Sequence, residues 1–169
     1  MQMKQAVSDR IEAALRQAPA FVSQWGDDVV WPRYDGYSIA NLPATFAAIL
    51  GAQMPEQNLP ALPDDLWRDL ARDVRRVVFV VIDALGYCRL RRALEAGTAP
   101  AWQPILDRGR LFPLTSVFPS TTVAALASLW TGLSPAQHGC LGTRLFLREF
   151  GAVAEMIALK PVVRGKPGQ

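Results

Sequence analysis

Thr122 and Asp83 are the two residues whose type and setting could do chemistry. The stretch Val117 to Gly139, V-F-P-S-T-T-V-A-A-L-A-S-L-W-T-G-L-S-P-A-Q-H-G, reads as strand end, turn and helix. Val117 and Phe118 close the strand, Pro119 breaks it, and Thr121 and Thr122 stand where a helix needs its first cap. A helix N-terminus carries unsatisfied N–H groups and the positive end of the macrodipole, so a hydroxyl there faces surroundings that favour anions, phosphate included. Thr122 can meet a phosphoryl group on these grounds, or it can simply cap a buried helix.

Asp83 ends the run Val77-Val78-Phe79-Val80-Val81-Ile82, which is apolar on both faces, as in a central parallel strand covered by helices. Ligands of open α/β sheets collect outside the carboxyl ends of strands, where such an acid is set for a metal or a substrate. The competing reading is a carboxylate capping the following helix, from about Cys88 to Ala96, which Gly97 stops. Leu111 to Phe118 reads as a second strand, with Pro113 arguing for an edge or a late start. An acid and a hydroxyl thus stand at the ends of two strands.

The remaining elements frame these two. Val7, Ile11, Ala14 and Leu15 fall at helical spacing and predict an amphipathic helix over 6–17. Residues 21–38 interleave Trp25, Trp31, Tyr34 and Tyr37 with turn formers, which suits a loop covering the flank of a sheet better than one gripping a base or sugar. Asn41 is set to cap a helix through Thr45, Phe46, Ile49 and Leu50, closed by Gly51. Met54 to Pro63 carries three prolines and reads as a connector dividing a lead-in, 1–63, from an α/β domain, 64–169. Asp64 and Asp65 open a short helix through Leu66, Trp67 and Leu70. Another short helix is expected over 102–108, and a weak third strand within Arg144 to Leu159.

Composition narrows the classes. Of 169 residues, 50% are hydrophobic and 20% charged, which is the balance of a globular domain and not of a disordered chain. The net charge of +3 is mild, and Arg alternates with acids in Asp64 to Arg76, so no nucleic-acid partner is expected. Cys88 and Cys140 lie far apart without a Cys/His cluster, so neither a disulfide framework nor a structural zinc site is suggested. No apolar run approaches the ~20 residues of a membrane span, and the N-terminus lacks the apolar core of a signal peptide. The expectation is a soluble, cytoplasmic protein with reduced thiols and no membrane contact.

V-V-F-V-V-I-D-A-L-G-Y, followed by F-P-S-T-T and by T-G-L-S-P-A-Q-H-G, resembles the N-terminal part of the alkaline phosphatase superfamily, in its type I phosphodiesterase/nucleotide pyrophosphatase branch. The resemblance covers roughly Arg76 to Pro161; Tyr34 to Gly51 is similar to a lead-in of some bacterial members. It implies a three-layer α/β fold with a mostly parallel central sheet. It also implies that Asp83 is a metal ligand, and that Thr122, nine residues before Thr131 of T-G-L, is both nucleophile and metal ligand. Two divalent ions, zinc in most relatives, and a phosphate ester, phosphodiester or nucleotide substrate follow from the same resemblance. Ser120 and Thr121 would only shape the turn.

The sequence departs from that pattern in two places. Family members take their other metal ligands from Asp and His residues later in the chain, whereas this sequence holds one histidine, His138, in the His-Gly element that is structural in the family. Two zinc ions need about four ligands each, more than Asp83 and Thr122 supply. Thr143 stands where the nucleotide pyrophosphatases carry an Asn that touches the phosphate. The expectation is therefore an N-terminal portion of a metal-dependent phosphodiesterase or pyrophosphatase, with an incomplete sheet, inactive alone and dependent on a C-terminal half or a partner chain. The alternatives are a non-catalytic phosphate-binding or interaction module, and a structural α/β fragment completed by a partner.

Overall fold

The computed structural model describes residues 2–17, 19 and 29–162. Trp25 and most of the expected aromatic loop before Val29 lie outside these residues. The first helix, α1 (Gln2–Leu15), places Ile11 and Leu15 four residues apart on one stripe, and both bury against Leu66 with Tyr37, Trp67 and Phe112 around them. Tyr34 and Trp31 turn onto the segment before Thr122. The Tyr34 hydroxyl accepts the Phe118 N–H at 3.1 Å, and Trp31 stacks on the Phe118 ring.

The second helix, α2 (Leu42–Ile49), follows a 3-10 turn over Ile39–Asn41. Ser38, and not Asn41, is the capping residue here: its Oγ accepts the Ala40 N–H. Asn41 is fully buried, accepts the Ser38 N–H and donates to the carbonyls of Tyr34 and Pro60. A buried amide must satisfy both its ends, and this one does so by pinning two loops. The proline-rich connector is equally tied. Leu62 N–H donates to the Thr45 hydroxyl and Leu59 N–H to the Gly132 carbonyl, each at 2.9 Å.

Asp64–Leu66 forms only a 3-10 turn, continued by further turns to Asp73. Helix α3 (Tyr87–Glu95) then follows, with Gly97 past its end at φ +68°. Arg91 on α3 reaches Asp9 and Glu12 on α1, and Tyr87 and Ser8 share a hydrogen bond of 2.8 Å. Helix α4 (Gln103–Arg108) is short, α5 (Thr122–Thr131) carries the Thr-rich start, and α6 (Pro135–His138) is a single turn. Val117, Ala124 and Ala40 bury together, so the lead-in supplies part of the core around α5.

A mostly parallel central sheet is not formed among the described residues. The sheet they form has three antiparallel strands, β1 (Arg144–Leu147), β2 (Ala152–Glu155) and β3 (Lys160–Pro161), paired in sequence order. Glu155 pairs with Arg144 on one side and Lys160 on the other, which sets opposite charges in one rank. Val77–Ile82, the expected central strand, has no strand partner and is open to solvent: Val78 is 87% exposed and Val80 71%. Leu111–Phe118 contributes a single parallel bridge, Thr115 to Ser38. The reason is topological. A strand apolar on both faces gains its stability only between neighbouring strands under two helical layers, and here Phe79 instead sets its ring against Phe46 of α2, at 5.0 Å.

Candidate active site

Helix α5 begins where the chain leaves Phe118-Pro119-Ser120. Thr121 is extended at φ −85°, ψ 154°, and its hydroxyl oxygen accepts the Ala124 N–H at 3.2 Å, so Thr121 is the N-cap. That role frees Thr122, the first residue of the helix, whose exposed hydroxyl donates to Asp83 Oδ2 at 3.2 Å. The N–H groups of Thr122 and Val123 have no partner among the described residues. They present the positive end of a ten-residue helix beside that hydroxyl.

The far end of α5 is anchored so that its start is held in place. Val123, Ala124 and Ser128 form the buried face. Gly132 closes the helix at φ +68°, where a Cβ would meet Asn58 Nδ2 at 2.8 Å, so a side chain there is excluded twice over. Ser134 and Gln137 form a capping box on α6, which turns the chain back to His138. His138 bridges Ser128 Oγ, 3.0 Å from Nε2, and the Cys140 N–H, 3.0 Å from Nδ1. Burial holds its pKa below the ordinary histidine value. The Leu141 carbonyl then accepts from the Thr121 hydroxyl at 3.2 Å.

Asp83 sits in a tight turn. Its Oδ1 accepts the N–H of Ala84, which is left-handed at φ +57°. The carboxylate does not cap α3: Gly86 holds that position at φ +68°, and no side chain caps the helix. Asp83 is therefore free of a capping duty and faces Thr122. The Thr143 carbonyl accepts the Met156 N–H at the base of the β1–β2 hairpin. A cavity of about 510 Å³ opens beside the pair, and its lining includes Ala84 and Ser120, near neighbours of Asp83 and Thr122, as well as Arg16 and Arg89.

The donor set tests what the site could hold. Two oxygens on one tetrahedral ion at ~2.0–2.2 Å lie ~3.3–3.6 Å apart, close to the 3.2 Å between Thr122 Oγ1 and Asp83 Oδ2. The pair thus fits as a partial shell for one ion. No group of three or more His, Cys, Asp or Glu residues that could hold a metal occurs among the described residues, so they do not complete a shell. Thr121, one of the two threonines set at the cap position, takes that role. Two participants escape sequence reasoning, Ser128 as the histidine's partner and the Leu141 carbonyl, and neither carries a local signal.

A model of the type I phosphodiesterase / nucleotide pyrophosphatase family matches residues 77–161, which is 85 of 169 residues. No curated protein and no solved structure matches the chain. Among the described residues no helix is long and apolar enough to cross a membrane. The family acts on phosphoester and nucleotide substrates and generally uses divalent metals. The matched region runs from the strand sequence before Asp83, through Thr122 and His138, to β3, and by that match the chain belongs to the type I phosphodiesterase/nucleotide pyrophosphatase family of the alkaline phosphatase superfamily.

Proposed function

We propose that this chain carries the nucleophile and one metal ligand of a phosphodiesterase or nucleotide pyrophosphatase. The observation that supports it best is the Thr122 hydroxyl, 3.2 Å from Asp83, at a helix terminus whose first N–H groups are unpaired among the described residues. Thr122 Oγ1 attacks phosphorus and gives its proton to solvent water, while the bond from phosphorus to the ester or pyrophosphate oxygen breaks in line and the leaving oxygen departs with the bonding pair, to be protonated by solvent. Water then cleaves the phosphothreonine and frees the hydroxyl. The N–H groups of Thr122 and Val123 hold non-bridging oxygens throughout, as helix termini do for phosphate. Divalent metal, zinc in our reading, would stabilise the alkoxide and offset the phosphoryl charge; Asp83 and Thr122 are the residues here that would hold it.

The rest of the metal site must come from residues that these cannot replace. We assign them to a C-terminal half or a partner chain whose strands pair with Val77–Ile82. In that assembly Val77–Ile82 becomes the central strand of a three-layer parallel sheet, with 1–63 as lead-in and 64–169 as part of the α/β domain. We further infer a cytoplasmic protein with Cys88 and Cys140 as thiols. The test is hydrolysis of bis-(p-nitrophenyl) phosphate by the purified chain and by Thr122→Ala, with zinc content measured on the same samples. The expected result is no Thr122-dependent turnover and less than a stoichiometric pair of zinc ions. Turnover by the chain alone that vanishes in Thr122→Ala would refute the dependence on further ligands.

A second reading, a phosphate-binding module without catalysis, is favoured by the same free N–H groups, which need no metal to bind an anion. Calorimetry with inorganic phosphate decides it, and absence of binding by the folded chain removes it.

A further inference from the structure

His138 closes a ring of hydrogen bonds that begins and ends on α5. A peptide N–H can only donate, so the Cys140 N–H, 3.0 Å from Nδ1, requires that nitrogen to be bare. The neutral ring then carries its proton on Nε2, directed at Ser128 Oγ and toward the Ala124 carbonyl, both on α5. Cys140 leads to Leu141, whose carbonyl takes the Thr121 hydroxyl proton, and Thr121 Oγ1 in turn takes the Ala124 N–H. The imidazole thus reaches the cap before Thr122 through two hydrogen bonds and the peptide unit between Cys140 and Leu141.

The helices around the ring carry no formal charge of their own. Between Arg110 and Arg144 there is no Asp, Glu, Lys or Arg, so α5, α6 and the 139–142 loop bring no formal charge to the imidazole. Helix α2 and the 3-10 turn over 39–41, which pack on α5, carry none either. The other titratable side chains on what packs here are the Cys140 thiol, Glu56 beside Gln57, whose carbonyl accepts from Gln137 of α6, and Asp83, which accepts from Thr122 at the far end of the linkage. Protonation at Nδ1 would set two donors against each other, since the Cys140 N–H already points there.

We propose that His138 is a positioning residue for Thr122: its neutral ring fixes the 139–142 loop and, through Leu141 and Thr121, the first turn of α5, and protonation releases that turn. The significance for catalysis rests on the reading of Thr122 as nucleophile, whereas the linkage itself does not. Because the chain has one histidine, a single imidazole signal reports it.

Nitrogen-detected NMR of the ¹⁵N-labelled 169-residue chain, from pH 8 to pH 5, tests the linkage without asking for activity. The ring should show the Nε2–H tautomer. The Cys140, Leu141, Thr122 and Ala124 amides should shift with the ring's midpoint, while those of Ile11 and Leu90 stay still. In Thr121→Val the Cys140 amide should keep its response, and Thr122 and Ala124 should lose theirs. A proton on Nδ1 at pH 8 overturns the proposal, as do Thr122 and Ala124 amides indifferent to the ring. Ile11 and Leu90 moving at the same midpoint would mean global unfolding and overturn it as well. An assembly in which the further metal ligands are supplied, and which hydrolyses diesters as well in Thr122→Ala as in the wild type while these shifts persist, defeats only the reading of Thr122 as nucleophile.

Discussion

Thr122 Oγ1 lies 3.2 Å from Oδ2 of Asp83, and neither side chain caps the helix beside it. Thr121 caps α5 and Gly86 begins α3, so the two side chains that meet have no structural duty at their own helix starts. Both are exposed, and an exposed hydrogen bond of this kind contributes little to stability. Such a pair is expected to matter for what binds between its oxygens.

Asp83→Asn separates binding from folding. The amide keeps the shape and one acceptor oxygen but loses the charge that attracts a cation. The urea midpoint should move by no more than ~0.5 kcal/mol equivalent, as for surface substitutions generally. Zinc affinity, read by calorimetry, should fall at least tenfold. Unchanged affinity would remove Asp83 from the ligand set.

Neighbouring threonines should behave oppositely. Thr121→Ala removes a cap that satisfies the Ala124 N–H and should cost ~0.5–2 kcal/mol in urea denaturation. Thr122→Ala removes an exposed hydroxyl at the first helical position, where alanine is well tolerated, and should stay within ~0.5 kcal/mol. If the costs were reversed, the cap and the free hydroxyl would have been exchanged.

Much of this was legible in the sequence for a local reason. Helix stripes and stops are written within a few residues: Ile11 and Leu15 packed as their spacing implied, and Gly97 ended α3. One cap assignment slipped by three residues, from Asn41 to Ser38, and the sequence left Thr121 and Thr122 both at the α5 cap, because neighbouring polar residues compete for one N–H and packing decides between them. The strand at 77–82 failed for a different reason. An apolar run reports what would be stable if covered, and says nothing of whether covering strands are present. The meeting of Asp83 with Thr122 was implied by the family resemblance, whereas the link from His138 to Thr121 passes through a backbone carbonyl and has no signature in side-chain identity.

Stability should depend on pH through His138. Its folded pKa lies below its unfolded value of about 6.5, so the unfolded chain binds more protons between the two. The sign follows: the contribution is fully present above about pH 6.5 and is lost as pH falls through the folded pKa. Urea midpoints taken every half unit from pH 8 to pH 5 should fall across that window, and His138→Asn, which cannot titrate, should be flatter. Equal slopes in the two proteins would exclude His138 as the source.

Val78 and Val80 offer the last test, because they should respond oppositely in two states of the protein. In the chain as described they are 87% and 71% exposed, on a segment whose backbone pairs with no strand. Six uncharged apolar residues with a free edge form a template for pairing between chains. Val78→Lys with Val80→Lys should therefore leave the unfolding midpoint of the isolated chain within ~0.5 kcal/mol and reduce its aggregation, measured by light scattering at rising concentration. In an assembly where strands flank 77–82, the same lysines would be buried under a helical layer, a cost of several kcal/mol for each unpaired charge. Co-expression with a candidate C-terminal half should then fail to give a soluble complex for the double variant while succeeding for the wild type. A double variant that assembles as well as wild type would show that Val77–Ile82 is not the strand on which a sheet is built.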